Sequence, residues 1–214
     1  MTASGGSGVG EGAAPFAAII VAGGAGTRLS GVSKPELIVA GRSLMDRTLD
    51  ACAGASRVVI VGGEHLKRES ALWACEEPPG SGPAAGLAAG LAALDAAGDG
   101  SELVLVLGSD TPRAAVGVAS LLERVGEATG SEPADGTVLV DGVWLVDGEG
   151  FPQPLVAIYR RAAIAARCAG EAGPGASLRR VTSGLNMVAV ADVHGAARDV
   201  DTWEDVQYWE GELS

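Results

Sequence analysis

The sequence predicts an α/β fold: a three-layer, doubly wound, mostly parallel sheet with helices on both faces, built as a single domain. Three observations predict it. Short, wholly apolar runs stand at residues 16–22, 58–61 and 103–107, each suited to a strand buried on both faces. Segments with helical spacing lie between them, so strand, turn and helix alternate three times, as in βαβ units. Composition agrees, because 47% of residues are hydrophobic, only 4% are aromatic and 33 are Gly. That mixture suits close packing of helices on a sheet rather than a β-sandwich.

The elements follow in order. The first 14 residues, rich in Gly, Ser and Ala, lack the basic start and apolar run of a signal peptide. They read as a disordered tail before a domain at 15–214. A strand at 16–22 runs into a Gly-rich turn at 23–34. Leu44, Met45, Thr48, Leu49 and Cys52 then fall at helical spacing, with Ser43 as N-cap. A second strand lies at 58–61, residues 64–73 read as helical, and 76–83 form a loop dense in Pro and Gly. An Ala/Leu helix covers 84–97. The third strand, 103–107, ends at Gly108-Ser109-Asp110, and Pro112 opens a helix running to about Gly126. Beyond residue 135, 138–140 and 143–146 read as a hairpin across Asp141-Gly142. A strand at 155–159, a helix at 160–169, a strand at 185–190 and a closing helix at 202–210, capped by Asp201 or Thr202, complete the chain.

Charge excludes one class of partner. Fifteen Lys and Arg stand against 27 Asp and Glu, a net charge of −12, whereas a nucleic-acid binder needs a basic face. A polyanionic small substrate must be held by a local cluster of cations and a metal, against the field of the whole molecule. Cys52, Cys75 and Cys168 are far apart, show no metal-ligand spacing and read as buried free thiols in a reducing, cytoplasmic compartment. No run approaches the length of a membrane span. His65 and His194 lack a partner at ligand spacing and read as surface or structural residues.

The Gly-rich turn carries the chemistry. It reads Val21-Ala22-Gly23-Gly24-Ala25-Gly26-Thr27-Arg28-Leu29-Ser30-Gly31-Val32-Ser33-Lys34-Pro35. Glycines directly after a buried strand let backbone N–H groups approach phosphate oxygens. Arg28 and Lys34 place two cations in the same loop. The turn lacks the Gly-Lys-Ser/Thr ending of a P-loop, and Leu29 stands where a dinucleotide fingerprint needs Gly or Ala.

From Val21 to Leu37 the chain resembles the nucleotidyltransferases of Rossmann-like fold, and within them the molybdenum cofactor guanylyltransferase branch. That branch reads Leu-Ala-Gly-Gly, spacer, Arg-Met-Gly, spacer, Lys; Val21, Leu29 and Ser30 replace its Leu, Met and Gly. The Gly26-Thr27-Arg28-Leu29 string is also similar to sugar-phosphate nucleotidyltransferases, which carry Pro where Ser33 stands. Three further segments fall in the family's order. Glu76-Glu77, followed by Gly82-Pro83 and Gly86, is similar to its acidic residue and Gly-Pro-x-x-Gly turn, which implies that Glu77 contacts the nucleoside; a solvated loop acid is the alternative. Asp110 ends a strand before Thr111-Pro112, as the magnesium ligand of the family does. A carboxylate beyond a strand's C-terminal end faces the crevice of an open α/β sheet, which favours the metal role, with a cap on the following helix as the alternative. Asp199-Val200-Asp201-Thr202 resembles the family's Asn-x-Asn-Thr ending, which implies Asp201 as a second metal ligand with Asp199 behind it, or a helix cap. Gln153-Pro154-Leu155 with Tyr159-Arg160 is similar to the acceptor border of the branch, and Arg179-Arg180 is the other local basic pair.

The resemblance implies a Mg²⁺-dependent transfer of GMP from GTP to the phosphate of molybdopterin, with release of pyrophosphate. Catalysis falls to Arg28 and Lys34. Nucleotide binding falls to Val21, Ala22, Gly23, Gly24, Gly26, Lys34, Glu77 and Asp110, and metal binding to Asp110 and Asp201. A cytidylyltransferase or another cofactor or sugar-phosphate nucleotidyltransferase of the same fold is the alternative within enzymes. A silent nucleotide-binding regulatory module is the alternative outside them. The expected partners are a nucleoside triphosphate and a phosphorylated small acceptor, with transient contact to cofactor-delivering proteins. Nucleic acid and membrane are not expected, and the chain is expected to be a monomer or small homo-oligomer.

Overall fold

The protein is described by a computed structural model for residues 14–23, 33–129 and 139–214. Apart from Ala14, the predicted tail lies outside the described residues. The first strand, β1 (Phe16–Val21), leads to a 3₁₀ turn at Lys34–Glu36 and a two-stranded ribbon, β2 (Ile38–Val39) and β3 (Arg42–Ser43). Helix α1 (Leu44–Ala51), β4 (Val58–Val61), a 3₁₀ turn at Glu64–Leu66, β5 (Leu72–Ala74) and α2 (Pro83–Ala96) follow. Then come β6 (Leu103–Gly108), α3 (Ala114–Thr129), β7 (Gly142–Val146), β8 (Pro152–Arg160), α4 (Arg161–Glu171), α5 (Leu178–Thr182), β9 (Met187–Ala191) and α6 (Trp203–Glu212).

Seven strands form one sheet in the order β5-β4-β1-β6-β8-β7-β9. All neighbours pair parallel except β8, which runs antiparallel to both β6 and β7. The α/β fold predicted from the apolar runs is therefore the fold observed. Strand β1 shows why the layers form. Its side chains alternate between faces, with Phe16, Ala18 and Ile20 in a core under α1 and α3, and Ala17, Ile19 and Val21 in a second core under α2, α4 and α5. The chain leaves β1 toward β4 on one side and returns to β6 on the other. Ligands of open α/β sheets collect at such a switch point, outside the carboxyl ends of the strands.

A third, smaller core joins Leu37, Val39, Leu44, Val200, Val206 and Trp209. It seats α6 against the β2–β3 ribbon, and Glu210 Oε1 accepts from the Ala40 N–H at 3.0 Å across the same contact. It clamps the segment that follows Lys34 to residues on both sides of Asp201, Val200 before it and α6 after it.

Two sequence expectations are corrected. Residues 64–73 do not form a helix, because Leu72, Trp73 and Ala74 pair in register with Val59, Ile60 and Val61 and extend the sheet as β5. The hairpin across Asp141-Gly142 is also absent. There the Asp141 N–H donates to Asn186 O at 2.8 Å and its carbonyl accepts from the Arg160 N–H at 2.7 Å, so the residue enters the sheet. The turn lies at Asp147–Phe151 instead, where Asp147 Oδ1 accepts from the N–H groups of Glu149 and Phe151 at 3.0 and 2.9 Å. Val138 is outside the described residues. Among the described residues, no helix is long and apolar enough to cross a membrane.

Glycines in α2 and α3 separate packing from propensity. A Cβ at Gly90 meets Ile19 Cγ2 at 2.6 Å, whereas one at Gly126 meets nothing within 4 Å. Ala is favoured over Gly in a helix by about 1 kcal/mol, while overpacking a core costs about 1–3 kcal/mol. Urea denaturation should therefore show Gly90→Ala less stable than the parent and Gly126→Ala more stable.

Candidate active site

Strands β1 and β6 deliver the two sides of the site to the same edge of the sheet, with Val21 in register with Gly108. The Ala22 N–H donates to Val61 O at 2.8 Å, which carries the β1 direction on by one residue before the exposed Gly23. Gly24, Gly26 and Arg28 lie outside the described residues. The chain re-enters at Ser33, and Lys34 opens a 3₁₀ turn whose second residue is the buried Pro35. Proline fixes its own φ and restricts the residue before it, so the backbone of Lys34 has little freedom.

Asp110 lies beyond the end of β6. A Cβ on Gly108 would stand 2.8 Å from Asp110 Oδ1, so glycine there lets the carboxylate fold back over the strand end. The Asp110 carbonyl accepts from the Val200 N–H at 2.9 Å, which brings the segment before α6 onto the end of β6. Asp201 follows directly. Thr202, not Asp201, caps α6 through a reciprocal pair with Asp205, and Asp205 Oδ2 also accepts from the Asp201 N–H at 3.2 Å. The backbone of Asp201 is thus held while its carboxylate turns to the site.

Lys34 joins the two halves. Its Nζ is 2.5 Å from Asp201 Oδ1 and 3.6 Å from Asp110 Oδ2. The lysine side chain is 18% exposed and the two carboxylates are 32% and 31% exposed, so the cluster is partly sheltered yet open on one side. Desolvation raises the Asp110 pKa, with Asp201 adding to the rise and Lys34 opposing it. Asp199 is exposed as a residue, but desolvation of its carboxyl followed by repulsion from Asp110 and Asp201 raises its pKa as well. Among the described residues, three carboxyl groups converge here on the Lys34 ammonium.

Cavities flank the cluster. One of 360 Å³ is lined by Gly23, Ser33, Lys34, His65, Cys75 and Glu76, among others. A second of 240 Å³ shares Gly23, Glu76 and Gly80 with it and continues to Val21, Val61 and Pro83. On the side of β7 and β8, a cavity of 460 Å³ is lined by Asp147, Gln153, Asp192, Arg198 and Asp199. A depression of 540 Å³ lies at the opposite end of the sheet, where Arg161 is already held by Asp95 at 2.6 Å and Asp99 at 3.1 Å.

The donor set fits a hard divalent cation. Asp110 and Asp201 offer carboxylate oxygens to one positive centre, and among the described residues no group of three or more His, Cys, Asp or Glu forms a closed cage. Mg²⁺ is typically held by one or two carboxylates together with substrate phosphates, rather than by an all-protein shell.

The profile of the MobA-like NTP transferase domain matches residues 18–188. The chain belongs to this family. As a MobA-like NTP transferase it has a nucleotidyltransferase fold, and solved structures agree at the level of architecture. Molybdopterin-guanine dinucleotide biosynthesis protein A from Archaeoglobus fulgidus is 21% identical with a TM-score of 0.66, covering 92% of this chain and 97% of that one. Rv0371c from Mycobacterium tuberculosis H37Rv is 19% identical with a TM-score of 0.66, covering 93% and 98%. The 2-C-methyl-D-erythritol 4-phosphate cytidylyltransferase from Thermus thermophilus is 18% identical with a TM-score of 0.59, covering 91% and 97%. No curated protein matches the chain significantly in sequence.

Within this NTP transferase, Lys34, Asp110 and Asp201, singled out in the sequence, come together, with Val21, Ala22 and Gly23 beside them. Glu77 does not turn inward. It is exposed, while its neighbour Glu76 is 8% exposed, lines the cavities of 360 and 240 Å³ and accepts from the Gly80 N–H at 3.0 Å through Oε1. Adjacent residues of an extended segment face opposite ways, and the motif alone does not say which glutamate faces in. His65 is exposed, in keeping with a surface residue, and it also lines the cleft. Arg180 is paired with Glu171 at 2.5 Å, Arg160 donates to Val140 O at 2.8 Å, and the buried Tyr159 donates to Pro154 O at 2.9 Å. The three cysteines are free, as expected, and Cys52 and Cys168 are buried, but Cys75 is only half-buried because it lies on the wall of the cleft.

The α6 cap gives a test tied to acid. Desolvation works against the ionised Asp205, but hydrogen bonds from Thr202, the Asp201 and Thr202 N–H groups and Arg198 outweigh it and hold its carboxyl below the ordinary range. A depressed carboxyl stabilises the fold above its unfolded pKa, and that contribution disappears as pH falls through the folded value. Asp205→Asn should cost about 1 kcal/mol at pH 7, as cap losses typically do, and the deficit should vanish in strong acid. Urea titrations of both proteins across pH read it directly.

Proposed function

We propose that the protein transfers GMP from GTP to the phosphate of molybdopterin, releasing pyrophosphate, with Mg²⁺ as cofactor. The observation that carries this reading is Lys34 Nζ set between Asp110 and Asp201 at the carboxyl ends of β1 and β6, beside the cleft that holds Glu76. A phosphate oxygen of the acceptor attacks the α-phosphorus in line, one P–O bond forms, and the bond to pyrophosphate breaks. The acceptor phosphate is already ionised and needs no general base. The chain's own contribution is positioning and charge neutralisation.

Gly23, with Gly24 and Gly26, offers backbone N–H groups to the phosphates. Arg28 offsets charge on the departing pyrophosphate. Lys34 exchanges its carboxylate partners for the α-phosphate as the triphosphate enters, and holds the crowded transition state. Asp110 and Asp201 would hold Mg²⁺, which supplies charge neutralisation to the triphosphate when bound. The acceptor occupies the 460 Å³ cavity beside Asp199, whose wall includes Arg198, paired with Asp205 at 3.3 Å, and Gln153, which donates to Asp147 at 2.8 Å.

Glu76 supports guanine over cytosine. Guanine presents adjacent donors, N1–H and the 2-amino group, on its Watson–Crick edge, and a sheltered carboxylate accepts from both. Cytosine presents one donor beside the N3 acceptor, and that lone pair repels a carboxylate. The same-fold cytidylyltransferase similarity makes CTP the competing nucleotide to test.

Pyrophosphate release with GTP or CTP, with and without molybdopterin, tests the reading. Turnover should require GTP, molybdopterin and Mg²⁺ together. Lys34→Ala should lower kcat by about 10²–10³-fold with unchanged Tm. Glu76→Gln should lower the GTP-over-CTP ratio of kcat/KM by about tenfold, the scale of a hydrogen bond to a charged group. Near-parental turnover in the lysine variant sinks the catalytic assignment, and an unchanged ratio in the glutamate variant sinks the base assignment.

A further inference from the structure

Lys34 is anchored on its C-terminal side by Leu37 and Val39, which sit in the small core under α6. Its N-terminal side has a different anchor. Ser33 Oγ lies 3.0 Å from His65 Nε2, a hydrogen bond spanning 32 residues of sequence, with its direction set by the imidazole tautomer. Both residues line the 360 Å³ cleft that Lys34 and Glu76 share.

Local geometry indicates that this contact is built in. Ser33 stands at the N-cap of the turn at Lys34–Glu36, where a serine hydroxyl ordinarily accepts from the turn's own N–H groups. It makes no such bond, and faces the imidazole instead. The ring in turn folds back over Gly63, where an added Cβ would lie 2.6 Å from its Cε1 and 2.7 Å from its Nδ1. A residue with a Cβ at position 63 would push the imidazole off its present place. The backbone under the ring is itself fixed, because Trp73 Nε1 donates to Gly62 O at 3.0 Å and Lys67 Nζ lies 4.1 Å from the centre of the same indole.

We propose that His65 is a positioning residue for Lys34, its tie to Ser33 fastening the β4–β5 connection to the start of the lysine-bearing turn. The inference rests on the nucleotidyl-transfer reading above. A lysine side chain has a flexible four-carbon stem, so the chain controls its ammonium mainly by fixing the backbone from which it springs. Misplacing a catalytic group by a fraction of an ångström or more costs rate rather than fold.

The test uses the full chain with GTP, Mg²⁺ and molybdopterin, and compares His65→Ala, Gly63→Ala and His65→Gln. His65→Ala removes the ring, Gly63→Ala displaces it, and the glutamine amide nitrogen takes the place of Nε2. The first two should lower kcat by about tenfold while KM for GTP stays within about twofold and Tm is unchanged. His65→Gln should recover most of the loss. Amide exchange of residues 33–37 should quicken in His65→Ala and return in His65→Gln, a readout independent of turnover. Parental kcat in His65→Ala, a rise in KM alone, no recovery by glutamine, or unaltered exchange each overturns the positioning role while leaving nucleotidyl transfer intact. Absence of pyrophosphate release by the parent protein with GTP and with CTP alike overturns nucleotidyl transfer itself, and the positioning role of His65 with it.

Discussion

One lysine between carboxylates organises this edge of the molecule. Lys34 Nζ reaches Asp201 at 2.5 Å and Asp110 at 3.6 Å, and Asp199 is close enough for its pKa to be raised by both acids. Partly exposed ion pairs contribute about 0–1 kcal/mol, too little to account for gathering these acids in one place. Desolvation and mutual repulsion work against the acids, as the raised pKa of Asp110 records. Such an arrangement makes physical sense as a receptor for added positive charge, and an ammonium with two alternative partners is poised to change them.

The rest of the fold serves that convergence. Strand β1 and the turn after it bring the cation, β6 brings Asp110, and the bond from Val200 to the Asp110 carbonyl brings Asp201. The small core around Trp209 and Val200 then clamps the segment after Lys34 to the residues on both sides of Asp201. A net charge of −12 opposes the approach of any triphosphate, so affinity must come from this local geometry and not from the global field. In the proposed reaction, cations gathered at one strand switch point compensate for a protein that is otherwise acidic.

Much of this was legible in the sequence. The apolar runs at 16–22 and 103–107 have no competing reading as amphipathic elements, and both proved to be central strands of the sheet. Lys34 and Asp110 follow the carboxyl ends of those strands, so parallel pairing alone places them at one edge. Choices between near-equivalent local signals were less legible. Asp141-Gly142 and the Asp147–Phe151 segment both carry turn chemistry, and only the pairing of Asp141 with Asn186 and Arg160 decides which one turns. Glu76 and Glu77 are adjacent acids whose facing depends on how β5 joins its edge. His65 meets Ser33 across 32 residues, a distance over which no periodicity carries information.

The central claim is that Asp110 and Asp201 together receive a metal-bound nucleoside triphosphate in place of Lys34's present ion pairs. Calorimetric titration of a non-hydrolysable GTP analogue, with and without Mg²⁺, tests it most directly when the parent is compared with the paired substitution Asp110→Asn and Asp201→Asn. The account predicts that Mg²⁺ strengthens binding to the parent and has no effect on the doubly substituted protein. An equal Mg²⁺ enhancement in both proteins would contradict it.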